Sequence, residues 1–365
     1  MSEAAPQATR AQFHAALDAT LPFGPSYEGS TGLKLASHLP MVLGALHRLG
    51  APASAFERHI ALWRARLKEE RPAEGPAPAG PPAYGAPYAE WLRHFEAHAL
   101  EAGPEELLRV HLPTLLAAPE SGAFHGAIRL AYASDGGHRG EFVHALAAWC
   151  ASFRSLGPVQ EKDAAPAAEA AAARPLAPDA GDLSSPSALR AALDAVRADP
   201  SMAMAMRQGT TIFSDMQIAA GLPGFAAHLA RARPSLEALA EAALAVYLAT
   251  RDFTALHLVT GLHAARVLLA RAPLDTAART TALARLWRAW LAAWVSIGSP
   301  APDWAAVHAG GASEADWEAA RAALLDTPND HTIKLADTAR EEWRHRGWPG
   351  YALCLPAPAR KAVAA

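Results

Sequence analysis

Cysteine is nearly absent. Cys150 and Cys354 are the only two in 365 residues, too few for a disulfide framework or a cysteine zinc site. An excess of one charge is missing as well. Lys and Arg total 33 against 36 for Asp and Glu, a formal net charge of −3. No basic stripe gathers, so nucleic acid is not an expected partner. The opening MSEAAPQATR has no basic segment leading into an apolar core, so no secretory signal is expected. Long apolar runs such as LARLWRAWLAAWVSIG are interrupted by Arg285 and Arg288 and fall short of a membrane span. Together these absences predict a cytoplasmic protein with no membrane partner. The glycine signatures of Rossmann and P-loop nucleotide sites are missing, and so is the G-x-S-x-G elbow of serine hydrolases.

Apolar residues make up 51% of the chain and are dominated by alanine and leucine recurring at three and four. Alternating β-branched runs are almost absent. The pattern predicts an all-α fold, a single large helical domain over residues 1–365. Two stretches break it: a Pro/Gly loop at 71–87 and a low-complexity Ala/Pro linker at 161–186. Histidines of interest fall on both sides of the linker, which argues against independent halves.

Sixteen histidines is an unusual number. Four lie on otherwise apolar helical segments. In SHLPMVLGALHRLG, capped by Ser37, His38 shares a stripe with Met41, Val42, Ala45, Leu46 and Leu49, whereas His47 lies off it. In SGAFHGAIRLAYA, His125 shares a face with Ile128, Arg129 and Tyr132. A buried Arg129 requires an anion, either a protein carboxylate or a bound substrate. In DFTALHLVTGLHAARVLL, His257 is followed on its face by Thr260 and Gly261, small residues that leave room. His263 is about 120° further round, so one of the two histidines faces a site. In TPNDHTIKLADTAREEW, Thr327 is the expected cap, with Pro328 and Asp330 in the first turn. His331 and Lys334 then lie on one face.

A single histidine on an apolar face is most often a core residue bonded to a carbonyl. Four such residues on four helices are harder to explain singly. Each buried imidazole needs a partner, and one shared metal would serve all of them. The pair His94 and His98 also has zinc-compatible spacing, but its charged neighbours make a solvated face the simpler reading. Lys334 beside a metal is an electrostatic conflict with three resolutions. It points away to Asp337 or Thr338, or burial holds it neutral, or it has reacted with CO₂ to give an anionic carbamate ligand.

In this order, SHLPMVLGALHRLGA, GAFHGAIRLAYA, FTALHLVTGLHAARVLL and DHTIKL resemble the questin oxidase-like family, from about Tyr27 to about Arg340. Its fungal members act in anthraquinone and aflatoxin-type pathways. The alanine content and the Ala/Pro insert of this chain look bacterial. The resemblance implies a non-haem iron (Fe²⁺) oxygenase that uses O₂. It would open a ring of a small polycyclic aromatic ketone or quinone in the manner of a Baeyer–Villiger oxidation, with NADPH as external reductant. It also implies His38, His125, His257 and His331 as metal ligands, His257 being favoured over His263, with Lys334 the candidate carbamate. Arg129 would then hold a phenolate or enolate, and Thr260, Gly261 and His263 would line the pocket. Two other classes stand beside this reading. A zinc hydrolase could use the same ligands to activate water. A non-catalytic helical protein would scatter the histidines.

Overall fold

Alanine- and leucine-rich segments lose little side-chain freedom on coiling, which favours helix wherever their apolar stripes can be covered. The computed structural model describes residues 6–70, 80–156, 183–204, 206–272 and 274–355. These residues are mostly helical, as the periodicity predicts. The first helices are α1 (Arg10–Asp18), α2 (Leu39–Arg48), α3 (Ala53–Arg64), α4 (Tyr88–Leu115), α5 (His125–Gly136) and α6 (Arg139–Ser152). After the linker come α7 (Pro186–Ala198), α8 (Ile212–Ala220), α9 (Phe225–Leu229), α10 (Leu236–Thr250) and α11 (Phe253–Arg271). The last are α12 (Thr276–Ser296), α13 (Trp304–His308), α14 (Glu314–Asp326) and α15 (Asp330–Arg346). Residues 80–87 of the predicted loop are non-helical, whereas 71–79 and 161–182 lie outside the described residues.

One element departs from the all-α expectation. Three short strands, β1 (Phe23–Glu28), β2 (Lys34–Ala36) and β3 (Leu67–Glu69), form an antiparallel sheet in the order β2-β1-β3. Tyr27 pairs with both Leu35 and Leu67. The strands are short and mostly half-buried or exposed, so they show no period-2 burial for the sequence to reveal.

The helices that matter most form a closed circuit. α2 packs on α5, α5 on α11, α11 on α15, and α15 back on α2. Close approach depends on glycine. A Cβ on Gly44 of α2 would lie 2.8 Å from the Tyr132 ring of α5. A Cβ on Gly126 of α5 would overlap the Trp149 ring of α6. On the far side, α12 buries Trp287, Trp290 and Trp294. Each contributes roughly 1.5–3 kcal/mol of apolar burial. By length and composition α11 could cross a membrane, unlike the segment at 283–298, but 78% of its apolar window is buried inside this fold.

Buried carboxylates of α15 tie the circuit together. Asp337 accepts from Arg48 of α2 through Nε and Nη2 and from the Tyr132 hydroxyl of α5 at 2.8 Å. Glu342 accepts from His263 Nδ1 at 2.7 Å and Arg266 Nε at 2.6 Å, both on α11, and from Arg346 Nε at 2.7 Å. Burial alone would raise the Glu342 pKa, but His263, Arg266 and Arg346 hold it well below the ordinary value.

Candidate metal centre

The four singled-out histidines stand at the N-terminal ends of the four helices in the circuit. His38 is the N-cap residue of α2. His125 is the first residue of α5, His257 the fifth of α11, and His331 the second of α15. Helical side chains tilt towards the N-terminus, so all four are carried into the space where these ends converge. The caps differ from the sequence expectation. His38 itself, and not Ser37, is the N-cap of α2. Asn329, and not Thr327, caps α15, because its side chain accepts from Thr332 N at 3.0 Å.

The imidazoles form a tight group. His38 stacks on His125 with ring centroids 4.8 Å apart and meets His331 edge-on at 4.5 Å. His257 closes the group, 5.0 Å from His125 and 5.5 Å from His331. His38, His125 and His331 each bring a nitrogen within 4.8 Å of the others. Nitrogens bound to one tetrahedral ion at about 2.1 Å lie about 3.4 Å apart, so the side chains would have to draw together to share one, and His257 stands outside this nitrogen group.

Outward hydrogen bonds fix the tautomers. His125 Nδ1 is 2.6 Å from Gly122 O, and His257 Nδ1 is 2.8 Å from Phe253 O. A carbonyl only accepts, so each Nδ1 carries the proton and each Nε2 keeps its lone pair. His38 Nδ1 faces the Asp330 carboxylate at 3.1 Å, with the same consequence. His38 Nε2 and His125 Nε2 then meet 2.7 Å apart. Two lone pairs at that distance repel unless a cation lies between or beside them. Nε2 of His257 and of His331 are buried without a partner among the described residues. Carboxylate or carbonyl to Nδ1–H, with Nε2 turned inward, is how metal-binding histidines are oriented.

The electrostatics keep the imidazoles neutral and disfavour a shared proton. Burial lowers all four imidazole pKa values, that of His257 to about 4 and that of His331 to about 3, and Lys334 lowers them further. Burial also brings Lys334 itself down to about 7, with Asp330 pulling the other way. Lys334 is 2% exposed. It does not pair with Asp337, whose carboxylate is taken by Arg48 and Tyr132. Converging helix N-termini add partial positive charge, so the centre would accommodate an anionic ligand next to any cation. By donor type and orientation, the residues present fit a divalent metal.

The other predicted site residues are engaged by protein groups, Arg129 first. Its guanidinium grips Glu141 at 2.7 and 2.8 Å, so the anion that its burial requires is a protein carboxylate. His263 is spent on Glu342. The Thr260 hydroxyl donates back to Leu256 O at 3.1 Å. The room left by Gly261 is filled by protein, since a Cβ there would sit 2.9 Å from the Phe124 ring. Phe124 ends a run of three left-handed residues, Gly122, Ala123 and Phe124, that turns the chain into His125. Such backbone costs free energy and persists only where its surroundings hold it. Gly261 thus acts through Phe124 on the placement of His125. Asp330 gains a role that its place in a capping motif did not suggest; its position next to His331 was the available signal.

No curated protein matches the chain. Among protein families, one described as questin oxidase-like matches residues 35–339, a span that includes every histidine of the cluster and Lys334. Such a family implies an oxidoreductase. The chain belongs to the questin oxidase-like family.

Proposed function

We propose that this protein is a metal-dependent oxygenase with a non-haem iron centre. Its reaction would be an oxidative ring cleavage, or a Baeyer–Villiger-type oxidation, of a polycyclic aromatic ketone or quinone. The observation that carries the reading is the pair of facing Nε2 lone pairs of His38 and His125, 2.7 Å apart, beside Nε2 atoms of His257 and His331 that have no partner among the described residues. Imidazole with an oxygen ligand suits ferrous iron. When bound, iron would supply the one-electron chemistry by which O₂ reacts with a closed-shell aromatic ring.

His38, His125, His257 and His331 would hold the metal as neutral imidazoles. Asp330, Gly122 O and Phe253 O keep the Nδ1 protons of His38, His125 and His257 directed away from it. Lys334 would supply the balancing charge as a carbamate. Its neutral Nζ attacks CO₂, an N–C bond forms, a C–O π pair moves onto oxygen, and one proton leaves the nitrogen. Burial favours the free amine that this addition needs. If one oxygen atom of O₂ ends in product and the other in water, two electrons must come from outside the chain, and NADPH is the proposed donor. The apolar packing around the cluster limits water and protects reactive species.

The test is elemental analysis of freshly purified protein, with and without bicarbonate. Near-stoichiometric iron that rises with bicarbonate and is lost in His125→Ala is the expected result. Stoichiometric zinc would favour a hydrolase with the same ligands. No metal under any condition would reduce the cluster to a structural role.

A further inference from the structure

A cleft of about 320 Å³ opens beside His331, at the small end of the roughly 300–1,000 Å³ typical of small-molecule pockets. Leu256, Leu335, Leu355 and Phe253 form apolar walls, and Arg251 and Asn329 bring polar groups to it. Phe253 is 46% exposed, the only aromatic among the exposed large apolar side chains of the described residues. An exposed phenyl forgoes burial free energy unless something covers it. Its ring also lies 4.7 Å from His257 and 4.6 Å from His331, so the wall of the cleft touches the histidine cluster directly.

Arg251 is the second observation. It sits in left-handed backbone at the end of α10, with φ 55°. Its Nη1 donates to Leu353 O at 2.6 Å, and the guanidinium lies 5.2 Å over the Tyr247 ring. These contacts fix the head group without neutralising it. Among the described residues no carboxylate forms an ion pair with it. The cleft therefore combines flat apolar walls, one uncompensated cation and an inner end at two imidazoles. Arg129, already occupied by Glu141, leaves the anion-holding role open.

We propose that this cleft seats a planar oxygenated aromatic as its phenolate, stacked on Phe253, with the ionised oxygen on Arg251 and the reacting edge towards His331 and His257. The proposal rests on the oxygenase reading for its substrate class. Phe253 and Arg251 are specificity residues in it, and they do not hold the metal.

The experiment is equilibrium binding of 1,8-dihydroxyanthraquinone, with metal content measured on the same samples. The proteins are wild type, Phe253→Ala, Arg251→Gln and Arg251→Lys. At a pH where the probe is ionised, Arg251→Gln and Phe253→Ala should each weaken binding by about tenfold or more, a typical loss for one charge-assisted or stacking contact. Arg251→Lys should retain most of the affinity, and the Arg251→Gln deficit should shrink where the probe is neutral. Metal content should be unchanged throughout. A wild-type protein that ignores the probe, or one whose affinity is unaffected by both substitutions, would overturn the proposal and leave the metal reading intact. Arg251-dependent binding to a protein that never takes up metal would sink the metal reading and leave the cleft standing.

Discussion

Along α15, the first turns and the later turns meet opposite electrostatic problems. From Asp330 to Lys334, the helix carries basic nitrogens into a space already lined by His38, His125 and His257. There Nε2 of His331 is buried without a partner among the described residues, and burial drives the Lys334 amine towards neutrality. From Asp337 to Arg346, the helix buries carboxylates, and each is met by arginine, tyrosine or histidine. On the same helix the buried carboxylates are satisfied, whereas the buried imidazole of His331 is not. What sets the N-terminal end apart is that its unpartnered imidazole nitrogen lies beside three other histidines, as expected of a site built to receive a ligand.

The contrast makes predictions with opposite signs. Asp337→Ala would leave Arg48 and Tyr132 facing each other without their anion. It should lower the unfolding free energy by about 3–5 kcal/mol in urea titration, the usual cost of breaking a buried pair. His257→Ala and His331→Ala should each weaken metal binding by about tenfold or more in competition dialysis with a chelator. Neither should destabilise the metal-free protein as Asp337→Ala does. Lys334→Met removes a buried amine and keeps its length. It should raise the stability of metal-free protein by about 1–3 kcal/mol while costing metal. If it destabilises as strongly as Asp337→Ala, the two ends of α15 are alike and the comparison fails.

Acid sensitivity follows from buried neutral histidines outside the cluster. Burial lowers His111 to about 4 and His144 to about 3, against an ordinary 6.5. Below 6.5 the unfolded chain binds protons that the folded chain refuses. Their contribution to stability is therefore complete above 6.5 and is lost as pH falls towards 4. His111→Gln should remove about one proton from the slope of stability against pH in that window. The smallest effect belongs to Glu314, an exposed residue of α14 that pairs with Arg340 and Arg344. Glu314→Ala should shift the urea midpoint by the equivalent of less than about 1 kcal/mol.

Helical periodicity made most of the architecture readable, since stripes such as the one through Met41, Val42, Ala45 and Leu46 survive as buried faces. His38, His125, His331 and Lys334 stood out as basic groups on apolar faces, whereas the preference for His257 over His263 came from the family resemblance. What surrounds these side chains was not readable. That Arg129 is balanced by Glu141 depends on how α5 meets α6, and spacing within one helix carries no such information. Gly261 looked like open space because a sequence shows what a residue lacks and not what a neighbour inserts. The sheet escaped notice because strands of three to six residues lack a resolvable period.

The place of α15 in the chain sets a timetable for synthesis. α2, α5 and α11 leave the ribosome long before residues 330–346, yet the face of α11 bearing His263 and the Tyr132 hydroxyl of α5 find their carboxylates only on that last long helix. Until it arrives, α11 is an apolar segment of 19 residues with part of its covering missing. Chains stalled or clipped before residue 330 would hold three of the four histidines with neither tie, and such intermediates are the ones most exposed to aggregation and quality control.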